Sequence, residues 1–431
     1  MGRIAFLKAL DRLLGPPLAR LLALGATPQP PPPSPQPREP GSDPVLVIRP
    51  GGIGDAVVLL PSLRALREAL PKETRIDILC EPRNRAVFDM AALPNTRVLL
   101  YTHHPLTLQY RLYRAHYAAV LDTEQSHYFS AIFTAWAYAP VRIGFDTVPA
   151  RSRLYTRTVP YDMHGSEREQ FAKLLRATGA PCGPAGLATG NTFPRTPLAN
   201  ALRHNTATPI GTEKTAAPLP TGSGNGVRGN VFPVAPQPPA PQPPAPSPRP
   251  LAALHVGGSN PSKHWPEAHY AALCDALATR GYTTILLGSR ADTAIAERIL
   301  SLCRSSKPEN LVGKLSLADT AARCAEAALF IGPDSGIAHL AEAAGTFSIV
   351  LFGSGDPAKW GPAPGHGVAI TATSATSATS ATPATPATSL GCPCSRFGTL
   401  HRHPHCHYEC MTEITVDSVL AAIPQPLTPS P

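Results

Sequence analysis

Proline sets the limits on what this chain can fold into. Residues 28–40, "PQPPPPSPQPREP", hold eight prolines in thirteen positions, and residues 231–250, "VFPVAPQPPAPQPPAPSPRP", hold ten in twenty. Each proline removes a backbone donor and fixes φ, so neither tract forms a helix or an interior strand. Both read as extended linkers. A third tract, "TATSATSATSATPATPATS" at 371–389, is a polar tandem repeat too short for a solenoid. It reads as a disordered insertion over 371–390. The chain therefore divides into a helical stretch 1–27, a linker 28–43, a block 44–194, a disordered proline-rich linker 195–249 and a block 250–425.

Both blocks have the same grammar. The first runs through "VLVIR" (45–49), "IDILC" (76–80), "RVLLY" (97–101), "YAAVLD" (117–122) and "VRIGF" (141–145). The second runs through "LAALHV" (251–256), "TTILLG" (283–288), "NLVG", "ALFIG" (328–332) and "FSIVLFG" (347–353). Helical patterns such as "GDAVVLLPSLRALREAL" (54–70) lie between the runs. Short buried runs alternating with helices predict parallel βαβ units, hence an α/β protein of two Rossmann-like domains. In open parallel sheets ligands bind beyond the carboxyl ends of the strands, so two domains facing across a cleft would give it two such rims.

The first rim is "RPGGIGD" (49–55). Its glycines permit a tight turn and a close approach of backbone to ligand. The spacing is not that of a dinucleotide loop. Asp55, at the start of a helix, has two readings: a carboxylate that caps orphan N–H groups, or a general base toward a substrate hydroxyl. The second rim has two parts. "HVGGSNPSKHWPEAHY" (255–270) offers Gly257, Gly258, Ser259 and Lys263 before a helix expected from Pro266. It is no Walker loop, and Lys263 taken alone reads as a solvated lysine. "IGPDSGIAHLAEAAG" (331–345) places Asp334, Ser335 and Gly336 at a strand-to-helix junction, where unpaired N–H groups and the helix dipole favour an anion. Ser335 and His339 are one helical turn apart and can face the same group. His339 alone would read as a partly buried histidine; beside Lys263 and two glycine-rich rims it reads as a ligand contact. Asp334 would repel phosphate, so it reads as a cap or as an acceptor for a sugar hydroxyl. No two aspartates stand two apart anywhere in the chain, so the Asp-x-Asp metal motif is missing. Stabilisation of a departing diphosphate then falls to Lys263, His339 and helix dipoles.

"VLVIRPGGIGDAVVLLPSLRALREALP", "VRIGFD", "GSNPSKHWPEAHYAALCDAL" and "DSGIAHLAEAAGTFSIVLFG" together closely resemble the ADP-heptose:lipopolysaccharide heptosyltransferases, glycosyltransferase family 9. The resemblance covers about 45–180 and 251–363 plus the C-terminal segment. It implies a GT-B fold and metal-independent transfer with inversion at the anomeric carbon, with no cofactor. The family's proposed base falls on Asp55, with Arg49, Gly52 and Gly54 on the acceptor side. Its donor contacts fall on Ser259, Lys263, Asp334, Ser335, Gly336 and His339, and an acidic ribose contact falls loosely on Asp292. The implied partners are a nucleotide-sugar donor, ADP-heptose by this resemblance, and a glycolipid or oligosaccharide acceptor. Two rivals stay open: a nucleotide-sugar epimerase of the same fold, and a non-catalytic sugar-nucleotide binder. The first loop lacks the family's frequent hydroxyls before Gly54–Asp55, and the linker is far longer than the usual hinge.

The formal charge of +9 admits nucleic acid, membrane or phosphorylated substrates. There is no basic stripe interleaved with aromatics and no zinc-finger or RNP pattern, so no nucleic-acid partner is expected. Cys80, Cys182, Cys274, Cys303 and Cys324 are scattered, which suggests reduced thiols in a cytoplasm. The start, "MGRIAFLKALDRLLGPPLARLLALGA", has a basic amino end, but Asp11 and "GPP" argue against a signal peptide. It reads either as an interfacial helix on anionic lipid at the inner face of the inner membrane or as a helix packed on the protein's own core. Near the end, Cys392, Cys394, Cys406 and Cys410 cluster with four histidines. Three readings are open: a structural zinc, a redox-sensitive thiol cluster or a packing segment.

Overall fold

The computed structural model describes residues 3–24, 43–101, 105–179, 249–258, 260–353, 355–371 and 409–424. Most of both expected linkers, residues 372–390 of the expected insertion, Ser259, and Cys392, Cys394 and Cys406 lie outside them.

The N-terminal block runs α1 (Arg3–Leu24), β1 (Val45–Arg49), α2 (Ile53–Ala69), β2 (Ile76–Cys80), α3 (Arg85–Ala91), β3 (Thr96–Leu100), α4 (Pro105–Arg114), β4 (Ala119–Asp122), α5 (Tyr128–Trp136), β5 (Val141–Asp146), α6 (Pro149–Ser152), β6 (Arg157–Pro160) and α7 (Glu167–Arg176). The C-terminal block runs β7 (Leu251–His255), α8 (Glu267–Thr279), β8 (Thr283–Leu287), α9 (Thr293–Leu302), β9 (Glu309–Asn310), α10 (Leu317–Glu326), β10 (Leu329–Pro333), α11 (Gly336–Ala343), β11 (Phe347–Phe352), α12 (Pro357–Trp360), β12 (Gly367–Thr371), α13 (Glu409–Thr412) and α14 (Val416–Ala421). The fold is α/β, with two six-stranded sheets, β3-β2-β1-β4-β5-β6 and β12-β11-β10-β7-β8-β9. Counted from each block's first strand, both have the order 3-2-1-4-5-6 of a doubly wound sheet. Every pairing is parallel.

The central strands are mostly apolar because both faces are covered: all five residues of β1 and of β2 are buried, with Arg49 and Asp77 the two charged ones among them. One face of the N-terminal sheet packs under α2 and α7, and that cluster takes in Ala321, Leu340 and Ala343 from the second block. The same apolar layer thus joins the blocks through α2 and α11. The other face is covered by α4 and α5. The C-terminal segment closes the second core with Met411, Ile414 and Val419, and the Trp265 indole donates to the Ile414 carbonyl at 2.8 Å.

Helix α1 continues through Pro16 and Pro17. It lies on α5, with Ala19, Leu18 and Leu22 against Ala131, Ile132 and Leu154. Asp11 is 4% exposed and accepts from the Tyr128 and Phe129 amides at 3.1 and 2.7 Å, so it caps the start of α5. Gly15 is required there, since a Cβ would stand 2.5 Å from that of Tyr128. The packed-helix reading therefore holds for one face. On the other, Leu13, Leu21 and Leu24 are exposed.

Candidate active site

In each sheet the strand order reverses between the first and fourth strands, and the loops after those strands carry the candidate residues. Arg49 ends β1 and the residues 50–55 follow it, Thr123 and Glu124 follow β4, Lys263 follows β7, and Asp334 and Ser335 follow β10.

At the first rim Asp55 is the third residue of α2 and accepts from the Gly52 amide at 3.1 Å. It is 24% exposed, so it caps the helix and still meets solvent. The two readings of Asp55 are compatible. Gly51 turns the loop at φ +108°, and a Cβ on Gly52 would fall 2.8 Å from the Asp55 carboxylate. Arg49 sits beneath rather than on the cleft surface, 2% exposed. It donates to the Pro50 and Thr123 carbonyls and pairs with Glu124 at 2.9 Å. Its remaining approach is to Asp55, at 3.7 Å. Burial works against its charge, but Asp55, Glu124, Glu167 and Asp122 outweigh that and hold it above the usual arginine value. Glu124 is buried too, yet Arg49 and then His127 hold its carboxyl well below the usual range. The result is a preformed ionic floor under Asp55.

At the second rim the Lys263 ammonium is held by Asp334, at 2.6 Å to the carboxylate and 3.0 Å to the carbonyl. The lysine is not a free surface charge. Asn260 caps the 3-10 turn Pro261–Lys263 that presents it, and helix α8 starts one residue after the expected Pro266. Ser335 is the N-cap of α11 but makes no capping bond; its hydroxyl lies 3.4 Å from Nδ1 of His255. His255 is 6% exposed, and burial lowers its pKa to about 4. His339 is equally buried and lowered by burial. Burial thus favours the neutral form of both imidazoles. Asp292 lies at the carboxyl end of β8 and accepts from the Ser289 amide and hydroxyl, each at 2.7 Å. A Cβ on Gly257 would stand 2.2 Å from its carboxylate, so the glycine-rich loop lies directly against it.

The two rims touch. A Cβ on Gly54 would fall 2.9 Å from Cδ2 of His339 and 3.4 Å from Cα of Gly336. One on Gly336 would fall 2.9 Å from the Gly54 amide and 2.9 Å from Cβ of Ile53. The start of α2, with Asp55, thus meets the start of α11, with Ser335 and His339. Polar contacts ring this junction: Arg168 pairs with Glu342 at 2.5 Å, and Lys359 donates to the Tyr161 hydroxyl at 2.6 Å. Arg49's role, Glu124, His255, Arg168 and Lys359 were missed from sequence. The glycines were the only local signal of the junction.

For metal, Cys410 alone of the expected tail ligands is described; among the described residues no group of three or more His, Cys, Asp or Glu side chains is placed to hold an ion.

Residues 106–385 match the family model described as glycosyltransferase family 9 (heptosyltransferase). The chain is 34% identical over 117 residues to lipooligosaccharide heptosyltransferase 2 of Haemophilus influenzae; the match takes in 25% of this chain and 33% of that relative, a third of its length. Its fold is similar to that of a glycosyl transferase family 9 protein from Veillonella parvula, with TM-score 0.60 and 16% identity, over 90% of this chain and 98% of that one. It is also similar to that of Escherichia coli ADP-heptose LPS heptosyltransferase II, with TM-score 0.56 and 20% identity, over 76% and 90% of the two chains. At these identities the structures speak for a shared GT-B fold.

Proposed function

The chain belongs to glycosyltransferase family 9, and from that premise we propose that it transfers a heptose, or a related sugar, from a nucleoside-diphosphate sugar to an envelope glycan acceptor. ADP-heptose is the proposed donor and a lipopolysaccharide-core glycan the proposed acceptor. The observation that carries this reading is the Gly54–Gly336 contact, which brings a solvent-accessible carboxylate and an anion-ready helix start to one junction.

In the proposed reaction Asp55 takes the proton from the acceptor hydroxyl as its oxygen attacks the anomeric carbon from the face opposite the leaving group. The configuration at that carbon inverts. The carbon–oxygen bond to the diphosphate breaks, and the charge it leaves behind is met by Lys263, the free amides at the start of α11 and the Ser335 hydroxyl. His339 donates or accepts one hydrogen bond there without adding charge. Asp334 holds Lys263 in place before the donor arrives and shares it afterwards. Asp292 is placed to accept from a sugar hydroxyl of the nucleotide. Arg49 positions Asp55 from below, at 3.7 Å. These groups supply the charge neutralisation that Asp-x-Asp enzymes assign to a cation, so transfer is proposed to need no metal. The protein is proposed to work as a peripheral enzyme on the cytoplasmic face of the inner membrane; among the described residues no helix is long and apolar enough to cross one.

The test is incubation with ADP-heptose and a core oligosaccharide acceptor in EDTA, read by mass spectrometry and by NMR of the new linkage. The acceptor should gain one heptosyl unit of inverted configuration. Conversion of the donor without an acceptor would make the protein an epimerase, and donor binding without turnover would make it a binding protein.

A further inference from the structure

The face of the N-terminal sheet away from the domain junction carries a second concentration of charge. At the amino ends of β2 and β3 lies an open cavity of about 480 Å³, lined by Arg75, Arg97, Arg111, Arg114, Tyr110 and Tyr117 among others. Its floor is built. Asp77, fully buried, accepts from Arg75 at 2.9 Å, from Arg97 at 2.6 Å and from the Tyr117 hydroxyl at 2.8 Å. That carboxylate fixes two guanidiniums and neutralises one. Arg114 lies over the Tyr110 ring at 5.8 Å, and neither it nor Arg111 has an acidic partner among the described residues. Four guanidiniums thus line the cavity over one buried carboxylate, and among the described residues no carboxylate lines it. Guanidinium forks match phosphate oxygens, so the ligand chemistry is a phosphate ester.

The surroundings identify the source. On α4 beside the cavity, Leu106 is 76% exposed and Tyr110 61%. Helices α4 and α1 both pack against α5, so they share the outer layer of this domain. There α1 exposes Leu13, Leu21 and Leu24 together with Arg12 and Arg20. Leucines and tyrosine in water beside uncompensated arginines are the pattern of a surface that sits at an anionic lipid interface. The proposed transfer site lies at the carboxyl ends of the neighbouring strands, while this cavity lies at the amino ends of β2 and β3, each about 16 Å long at strand rise, so a group bound here does not compete with substrates.

We propose that this arginine cavity binds the phosphate of an anionic phospholipid headgroup and holds the N-terminal domain to a membrane. The inference rests on the peripheral location proposed above but not on the transfer chemistry.

The test is flotation of the full chain with phosphatidylcholine vesicles, with and without phosphatidylglycerol, alongside titration with inorganic phosphate. The wild type should float only with phosphatidylglycerol. Arg111→Glu with Arg114→Glu should weaken that binding roughly tenfold or more, with an unchanged thermal melt and unchanged turnover on a soluble acceptor. Equal flotation of the double variant would overturn the cavity while leaving the peripheral reading intact, with α1 as the contact; Leu13→Asp with Leu21→Asp would then abolish it. Absence of wild-type flotation on anionic vesicles would overturn both. Binding of inorganic phosphate without vesicle binding would overturn the lipid assignment.

Discussion

The two domains share one strand order and place their candidate residues after the corresponding strands, yet their rims have opposite chemistry. The N-terminal rim gathers carboxylates around a buried arginine: Arg49 has Asp55, Glu124, Glu167 and Asp122 about it. The C-terminal rim gathers one ammonium, two neutral imidazoles and the free amides of a helix start. The scaffold supplies position, and the side chains set the task. In the proposed reaction one rim takes up a proton and the other an anion, and the glycines at 54 and 336 let the two helix starts meet.

Breaking the first rim should have the largest effect. Asp55→Asn keeps an oxygen for the Gly52 amide, so α2 stays capped. Turnover should fall by roughly a hundredfold to ten-thousandfold, the usual worth of a general base. Near-normal turnover with an intact fold would leave Asp55 a cap and nothing more.

The neutral histidines of the second rim predict a pH dependence. The folded pKa of His255 is depressed, so the unfolded chain takes up this proton first. The stability that this histidine contributes should fall as pH drops from about 6.5 to about 4 and level off below, where loss through the depressed Glu124 carboxyl takes over. This one group contributes up to about 3 kcal/mol of that loss, and His339 adds in the same direction. Urea melts across that window should show the decline, and His255→Gln should flatten it. An unchanged slope would mean the imidazole is not held neutral.

The contact between the rims is sharpened by Gly54→Val. Its side chain would press on His339 and on the Gly336 backbone, and so spread the junction. Turnover should drop roughly tenfold or more from lost alignment, while the thermal melt keeps its cooperativity. Unchanged kinetics would show that the two rims do not work in this docked arrangement. The smallest effect expected is that of Asp11→Ala, which removes the cap from α5 and should cost about 1 kcal/mol of stability, with turnover on a soluble acceptor unaltered.

How far the sequence could be read follows the same division. The runs at 45–49 and 76–80 coincide with strands, and those at 283–288 and 347–353 overrun theirs by one glycine, because doubly covered strands leave nearly continuous hydrophobic stretches. Strand β6, "RTVP", and strand β12, "GVAIT", were not anticipated. They are edge strands, β6 is mostly exposed, and neither has a run to announce it. In the site, Asp55, Lys263 and the segment 334–339 were legible from local motifs. Glu124 was not: it reaches Arg49 across 75 residues and shows no pattern around it. His255 ends a strand as any core residue does, and only its burial beside Ser335 marks it. The lysine was legible but its partner was not, since Asp334 lies 71 residues away.

The division of labour between the rims is tested most directly by calorimetric titration of a nucleoside diphosphate into the wild type, Lys263→Ala and Asp55→Asn. Lys263→Ala removes a charge-assisted bond and leaves Asp334 uncompensated beside the ligand. Affinity should fall roughly ten- to a hundredfold, the scale of one such bond, while Asp55→Asn should bind as the wild type does. Equal weakening by both substitutions, or weakening by Asp55→Asn alone, would contradict the assignment of the anion to the C-terminal rim.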